Sequence, residues 1–278
     1  MAIILPESAK SANKKIRTGA PIRAPRSVEV AYRRALLQLT QALSGSTRLV
    51  GQAVNAGQTR AQVLAMVQNE ISRSRLAFER ASAALPGAMT TVLSAKGKEQ
   101  VENMVKRSLG VDFAKVVDTP EIADQLATAQ LRNAQLITKL PEEHWGRVVQ
   151  AISDNYDGTL HGSLTQRLTK VNGISKDRAK LIARDQTAKL SGDLARIRQQ
   201  DAGINSYLWR NSQDSRVVGN PGGRYPKGNA RHGNHWTREG KEYQWDEPPS
   251  DGHPGQPILC RCRAEPVINL DKLNAQFI

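Results

Sequence analysis

Gly203-Ile204-Asn205-Ser206-Tyr207-Leu208-Trp209-Arg210 is where the chain changes character. Before it, Leu181, Ala188 and Ala195 recur at seven-residue steps beside Ile182, Leu190, Leu194 and Ile197, the stripe of an amphipathic helix that Gly203 can stop. After it, Tyr207, Trp209, Tyr225, Trp236, Tyr243 and Trp245 with many Gly and Pro residues replace that Ala- and Leu-rich pattern. Short strand signals lie at Asn205–Arg210, Tyr243–Trp245 and Arg261–Ile268, and the Gly/Pro/Asn-rich stretch Val218–Asn234 reads as loop. The expected fold class is α+β: a mainly helical N-terminal part, then a small mixed module with short antiparallel strands and long loops. A change of subdomain is expected inside the helix leading to Gly203.

Upstream, Val28, Tyr32, Ala35, Leu36, Leu39 and Leu43 predict a helix ending near Gly45. Thr59 predicts the cap of a second one carrying Val63, Val67, Ile71 and Phe78, stopped by Pro86-Gly87. Thr119-Pro120-Glu121 is a start signal, because Thr supplies a cap oxygen, Pro suits the first turn and Glu favours the positive end of the dipole. Pro141-Glu142-Glu143 repeats it ahead of Trp145, Val148, Val149, Ile152 and Tyr156, with Gly158 as the stop. Ser175 predicts the cap of the helix that runs to Gly203. These stripes read as core faces. The division expected is a basic arm at 1–26, a helical arm at 27–157 and a module at 158–278.

The 278 residues carry a formal net charge of +14 and only 4% aromatic residues, so a core in part of the chain is expected and contact with a polyanion or an acidic protein surface is favoured. Lys10, Lys14, Lys15, Arg17, Arg23 and Arg26 stand against Glu7 alone in the first 26 residues, which read as a flexible basic arm that orders on binding. Arg33 and Arg34 extend this set onto the polar face of the first helix. Met1–Leu5 is too short for a signal-peptide core and no stretch approaches a membrane span, so a reducing, soluble compartment is expected.

The only two cysteines stand in His253-Pro254-Gly255-Gln256-Pro257-Ile258-Leu259-Cys260-Arg261-Cys262-Arg263. One residue apart on an extended backbone, Cys260 and Cys262 share a face and can converge on a third object. With His232, His235 and His253 they supply ligands for a tetrahedral structural Zn2+, which would add folding free energy to a loop-rich segment. His235 ranks first among the histidines, His253 next because Pro254-Gly255 can turn it back, and His232 last. The alternative is two buried thiols on a strand with surface histidines. Asp214 reads as a metal ligand or as a turn cap, and Arg216, Arg261 and Arg263 as phosphate contacts or as partners of Asp214, Asp246 and Glu247. No Gly-x-Ser-x-Gly elbow is present, the glycines at 219–223 are not set between strand and helix, and no base with an orienter is evident for either cysteine.

An ordered series runs through the second half: Leu164, Arg167 and Leu168; Gly173-Ile174-Ser175; Arg178-Ala179; Ile182-Ala183-Arg184; Gly203-Ile204; Tyr207-x-Trp209; Ser212-x-Asp214-x-Arg216-Val217; His235 with Gly240; and Pro254-Gly255 leading to Cys260-Arg261-Cys262. In this order it resembles the phage Mu F-like family of minor head, or head-morphogenesis, proteins. Where that family often shows Ala-Arg-Thr-Glu, this chain has Ala183-Arg184-Asp185-Gln186, and its Asp214–His235 segment is longer. The resemblance implies a non-enzymatic virion protein of a tailed phage, incorporated in the host cytoplasm during head assembly and placed inside the head near the portal. Its implied partners are portal, major capsid or scaffold proteins and packaged double-stranded DNA, with no membrane. Two further expectations compete with it: a sequence-independent DNA-binding protein outside a capsid, and a metal-dependent nuclease using Asp214.

Overall fold

A computed structural model describes residues 16–109, 119–228 and 233–270, with Arg17 described by its backbone alone. The elements are β1 (Ile16–Thr18), α1 (Arg26–Asn55), α2 (Arg60–Leu109), α3 (Pro120–Tyr156), α4 (Leu164–Asp201), β2 (Ser206–Arg210), a 3-10 turn at Trp236–Arg238, β3 (Glu242–Gln244) and β4 (Arg263–Asn269). The fold is α+β, helices first and a small antiparallel sheet after them. No described helix is long and apolar enough to cross a membrane.

Two compact units emerge, one from Ser27–Met89 with Thr128–Arg184, the other from the N-terminal residues to Arg26, Thr90–Ala127 and the chain from Asp185 onward. They are not the segments 1–26, 27–157 and 158–278. Helices α2, α3 and α4 each give one end to either unit. The reason is length: the 50 residues of α2 extend roughly 75 Å at 1.5 Å per residue, so one helix can feed two cores.

In the all-helical unit, α1 buries Val28, Tyr32, Leu36, Thr40, Leu43, Thr47, Val50 and Ala53, a seam at three- and four-residue steps. It continues past Gly45, and α2 past Pro86 and α3 past Pro141, correcting two expected helix ends and one expected start. An interior proline costs about 3 kcal/mol and a glycine about 1. Continuing α3 buries His144, Trp145, Val148 and Ile152, and continuing α2 buries Met89, Leu93, Val101 and Val105. Full burial of an apolar side chain of this size contributes about 1.5–3 kcal/mol, so packing outweighs the breaker. Thr59 does cap α2: its Oγ1 accepts from the Gln62 amide at 3.4 Å while the Thr59 amide donates to Gln62 Oε1 at 2.9 Å. Ser163 and Gln166 form the same reciprocal cap on α4, so Ser175 lies inside that helix.

Ser175 instead serves His144, which is fully buried. Ser175 Oγ lies 2.9 Å from His144 Nδ1, and Thr47 Oγ1 lies 2.7 Å from Nε2. Both hydroxyls also donate to carbonyls of their own helices, Thr47 to Leu43 at 2.8 Å and Ser175 to Val171 at 3.2 Å, and deep burial favours the neutral ring. Burial, helped by Arg147, lowers its pKa to about 4. The unfolded chain, with an ordinary imidazole near pH 6.5, binds the extra proton first. The stability from this group is therefore complete above about pH 6.5 and is lost as pH falls toward 4. Urea unfolding at pH 4.5 and 7.5 should differ by about 2–3 kcal/mol from this residue. The difference should shrink in His144→Gln, and an unchanged pH slope there would refute the assignment.

In the second unit, α4 is buried nearly all round, through Leu190, Leu194, Ala195, Ile197, Arg198 and Gln199. Gly203, at φ 75°, ends it: its amide meets the Gln200 carbonyl at 2.8 Å and the Ile204 amide the Gln199 carbonyl at 2.8 Å. The sheet order is β1-β4-β2-β3, every pair antiparallel. Val101, Met104, Val105, Leu109, Ala202, Ile204, Ile268 and Leu270 form one core cluster, with Ile22 packed on it. Tyr207, Trp209, Trp245 and Cys262 form another.

The flexible-arm expectation is corrected for the described part of residues 1–26. Ile16, Arg17 and Thr18 pair with Asn269, Ile268 and Val267, and the Gly19 amide donates to the Pro266 carbonyl at 3.0 Å. An open β4 edge would leave backbone groups unpaired, and β1 supplies their partners. The Arg23 backbone is held twice by the Gln100 side chain, at 2.9 and 3.0 Å. Arg23, Arg26 and Arg34 are exposed, and Arg33 pairs with Glu29 at 3.2 Å. Lys10, Lys14 and Lys15 lie outside the described residues.

Candidate metal centre

Three of the expected ligands converge. The ligand atoms of His235, Cys260 and Cys262 lie within 4.8 Å of one another. His235 Nδ1 is 3.6 Å from Cys260 Sγ and 3.5 Å from Cys262 Sγ. Local chain geometry explains the meeting. Cys262 immediately precedes β4, whose Arg263 and Ala264 pair with Arg210 and Trp209 of β2. Trp209 in turn exchanges backbone bonds with Gly240 and Lys241, each 2.8 Å, and this fixes the turn that begins at His235. The Trp209 ring meets the His235 ring edge-on, centroids 5.1 Å apart.

Behind the imidazole stands a carboxylate that sequence reasoning missed. Asp251 Oδ2 is 2.9 Å from His235 Nε2, and its Oδ1 accepts from Arg238 Nη1 at 2.7 Å. Arg238 also lies over the Trp209 ring, 4.8 Å from its centroid. Asp251 is 5% exposed. A carboxylate on the far ring nitrogen fixes the tautomer and makes Nδ1 a better ligand. The signal was present as Asp251-Gly252, but a turn-type Asp-Gly pair carries no hint of a histidine sixteen positions earlier.

Charge in the cluster follows from contact. Contact with Cys262, then with His235 and the Gly255 amide, holds Cys260 well below the ordinary thiol range against its burial. The same contact, then burial, pushes Cys262 well above that range. Burial acts to lower His235, but Cys260 and Asp251 outweigh it and leave it raised. Two thiols thus stand beside an imidazole with a carboxylate orienter. A thiophilic cation bound there would displace the thiol protons.

The other expected ligands lie elsewhere. His253 is buried but its Nδ1 meets the Tyr207 hydroxyl at 2.9 Å and it bonds the Trp245 backbone, so it is no member of the cluster. The Pro254-Gly255 turn brings back the Gly255 amide, 3.4 Å from Cys260 Sγ, in place of the imidazole. Asp214 is a turn cap and an arginine partner: it accepts from the Arg216 amide at 2.9 Å and is gripped by both terminal nitrogens of Arg261. That grip holds its carboxyl well below the usual carboxylate range. His232 lies outside the described residues. Asp185 was noted only as a departure from a motif; it sets the cysteine loop, since its Oδ1 accepts from the Leu259 amide at 3.3 Å and its Oδ2 pairs with Lys189 at 2.7 Å.

The glycine-rich loop has little room at one point. Gly219 sits at φ 87°, and a Cβ there would fall 1.9 Å from Asn234 Oδ1. That oxygen accepts the Thr237 amide at 3.1 Å and so shapes the turn beside His235. Gly219→Ala should cost about 2–3 kcal/mol in urea unfolding; a neutral effect would contradict the packing.

Fold and site together define an α+β protein with a candidate His-Cys-Cys centre. An uncharacterized protein of Haemophilus influenzae is 24% identical over 284 aligned residues, covering 97% of this chain and 60% of its own length. The chain thus spans about 60% of that relative. No family model matches the chain, and no solved structure does.

Proposed function

We propose that this chain is a non-enzymatic minor head protein of a tailed phage, acting in head assembly near the portal, and that His235, Cys260 and Cys262 hold a zinc ion. The single observation that carries the reading is convergence. Scattered members of the ordered series are linked around the candidate centre: His235, Cys260 and Cys262 meet, Tyr207 and Trp209 share a core cluster with Cys262, Gly240 bonds Trp209, and Asp214 holds the Arg261 between the cysteines. A motif set that meets in space is a better family indicator than its separate pieces. Zinc fits the donors, because one imidazole and two thiolates suit a borderline-soft cation with no geometric preference of its own. The net charge of +14 suits a protein beside packaged DNA, where phosphate neutralisation needs no sequence reading. The helical unit would supply the surface for portal, capsid or scaffold proteins.

Mass spectrometry and cryo-electron microscopy of purified proheads and virions test the role, and absence of the chain from both would end it. Elemental analysis of protein purified without chelator tests the metal, with about one zinc per chain expected. The same charge favours a second reading, sequence-independent DNA binding outside a capsid. Under that reading the isolated protein binds duplex DNA tightly and loses affinity steeply with salt. Asp214 is committed to Arg261 and Arg216, so a nuclease built on it draws no support from the site.

A further inference from the structure

A cavity of about 320 Å³ opens on the three ligand residues themselves. Its apolar lining includes Val217, Val218 and Ile258. Arg216 and Arg261 also line it. We propose that the metal held by His235, Cys260 and Cys262 keeps its fourth position toward this cavity, and that the cavity binds a short-chain carboxylate there. The inference rests on the zinc reading above and adds the ligand class.

Three independent features point the same way. The first is donor supply: tetrahedral zinc takes four ligands. Three described side chains provide ligand atoms, while the nearest other candidates are engaged, His253 with Tyr207, Asp214 with Arg261 and Asp251 with Arg238. The second is charge. A divalent cation with two thiolates is neutral, and Asp251 is offset by Arg238. Arg216 and Arg261 together face the single carboxylate of Asp214, leaving one positive charge in excess. A monoanion matches that excess, and its hydrocarbon part matches the apolar lining.

The third is backbone strain. Gln213 and Leu259, at φ 51° and 59°, are the only described non-glycine residues in the left-handed region. Gln213 adjoins Ser212 of the cavity lining, and Leu259 itself lines it. Both are held by polar contacts, the Gln213 amide on Asn211 Oδ1 at 2.8 Å and the Leu259 amide on Asp185 at 3.3 Å. Strained residues so braced gather at binding sites, because the scaffold must over-determine them.

Cobalt(II) substitution of the full chain provides the test. A thiolate-to-cobalt charge-transfer band is expected in the near ultraviolet, with visible bands of a tetrahedral site. Titration with isovalerate should shift the visible bands saturably, roughly tenfold or more tighter than acetate because of its extra buried carbons. Arg216→Gln should weaken that binding several-fold and leave the charge-transfer band in place. Lack of the charge-transfer band overturns the metal reading and this inference with it. A normal charge-transfer band with visible bands that no carboxylate moves, or that only phosphate moves, overturns this inference alone. So do visible bands that change in His232→Ala and ignore carboxylate, which would mark a protein side chain as the fourth ligand.

Discussion

His235→Ala should empty the metal centre, taking zinc from about one per chain to near zero and lowering the stability of the second unit. The effect is large because in the proposed centre His235 is a ligand, and in the structure it links the two cysteines to Asp251. Two close thiols remain without it, too few protein ligands for a closed or nearly closed shell. Loss of a metal present at a thousand times its dissociation constant removes about 4 kcal/mol of linked stability. The variant also takes the histidine partner from the Asp251 side chain, 5% exposed, leaving its pair with Arg238. Asp251→Asn separates the two causes: it keeps all three ligands and should weaken retention about 10–100-fold. Retention should also fall with falling pH, because protons compete with the metal for the thiolates and the imidazole. Elemental analysis with thermal melts before and after chelation reads all of this. A His235→Ala protein that still holds one zinc would refute the assignment.

Trp209→Ala should cost about 3–5 kcal/mol, the range for deleting a buried tryptophan. Trp209 is fully buried in β2 and packs against several of the side chains that shape the site. Its ring meets His235 and Tyr243 edge-on, at 5.1 and 5.9 Å, and carries the Arg238 guanidinium on its face. It clusters with Cys262. Truncation would open a cavity beneath both the imidazole and the cysteine strand, so metal retention should fall along with urea stability. Trp209→Phe keeps an apolar ring and should lose less of each. A Trp209→Ala protein as stable as the parent would show that the aromatic cluster is not a supporting core.

The site was legible in part. Cys260 and Cys262 announced themselves by spacing and scarcity, and His235 by its place before Gly240. Those three meet, but His253 does not, because a proline-glycine turn predicts a reversal and not which group arrives at its far side. Asp251 and Asp185 were invisible as site residues for a related reason. A carboxylate behind an imidazole, or under a strained amide, is recognised by distance, and neither lies near its partner in sequence. The pairing of β1 with β4 was hidden too, since Ile16-Arg17-Thr18 is too short to show an alternating pattern.

The sequence by itself determined the class of the fold and the start of most elements. Helical periodicity, the Thr59 cap, the Thr119-Pro120 start and the Gly203 stop are local signals, and local backbone physics reads them alike in any context. Tertiary structure decided which breakers break. Gly45, Pro86, Pro141 and Ser175 all carry the local chemistry of a helix end, yet the helices run through them. The side chains beyond each gain more by burial than the break would recover, a comparison that exists only once the partners are in place. The same holds at the metal centre: composition supplied the donors, and only the sheet that sets Trp209 between Cys262 and His235 decided which of them meet.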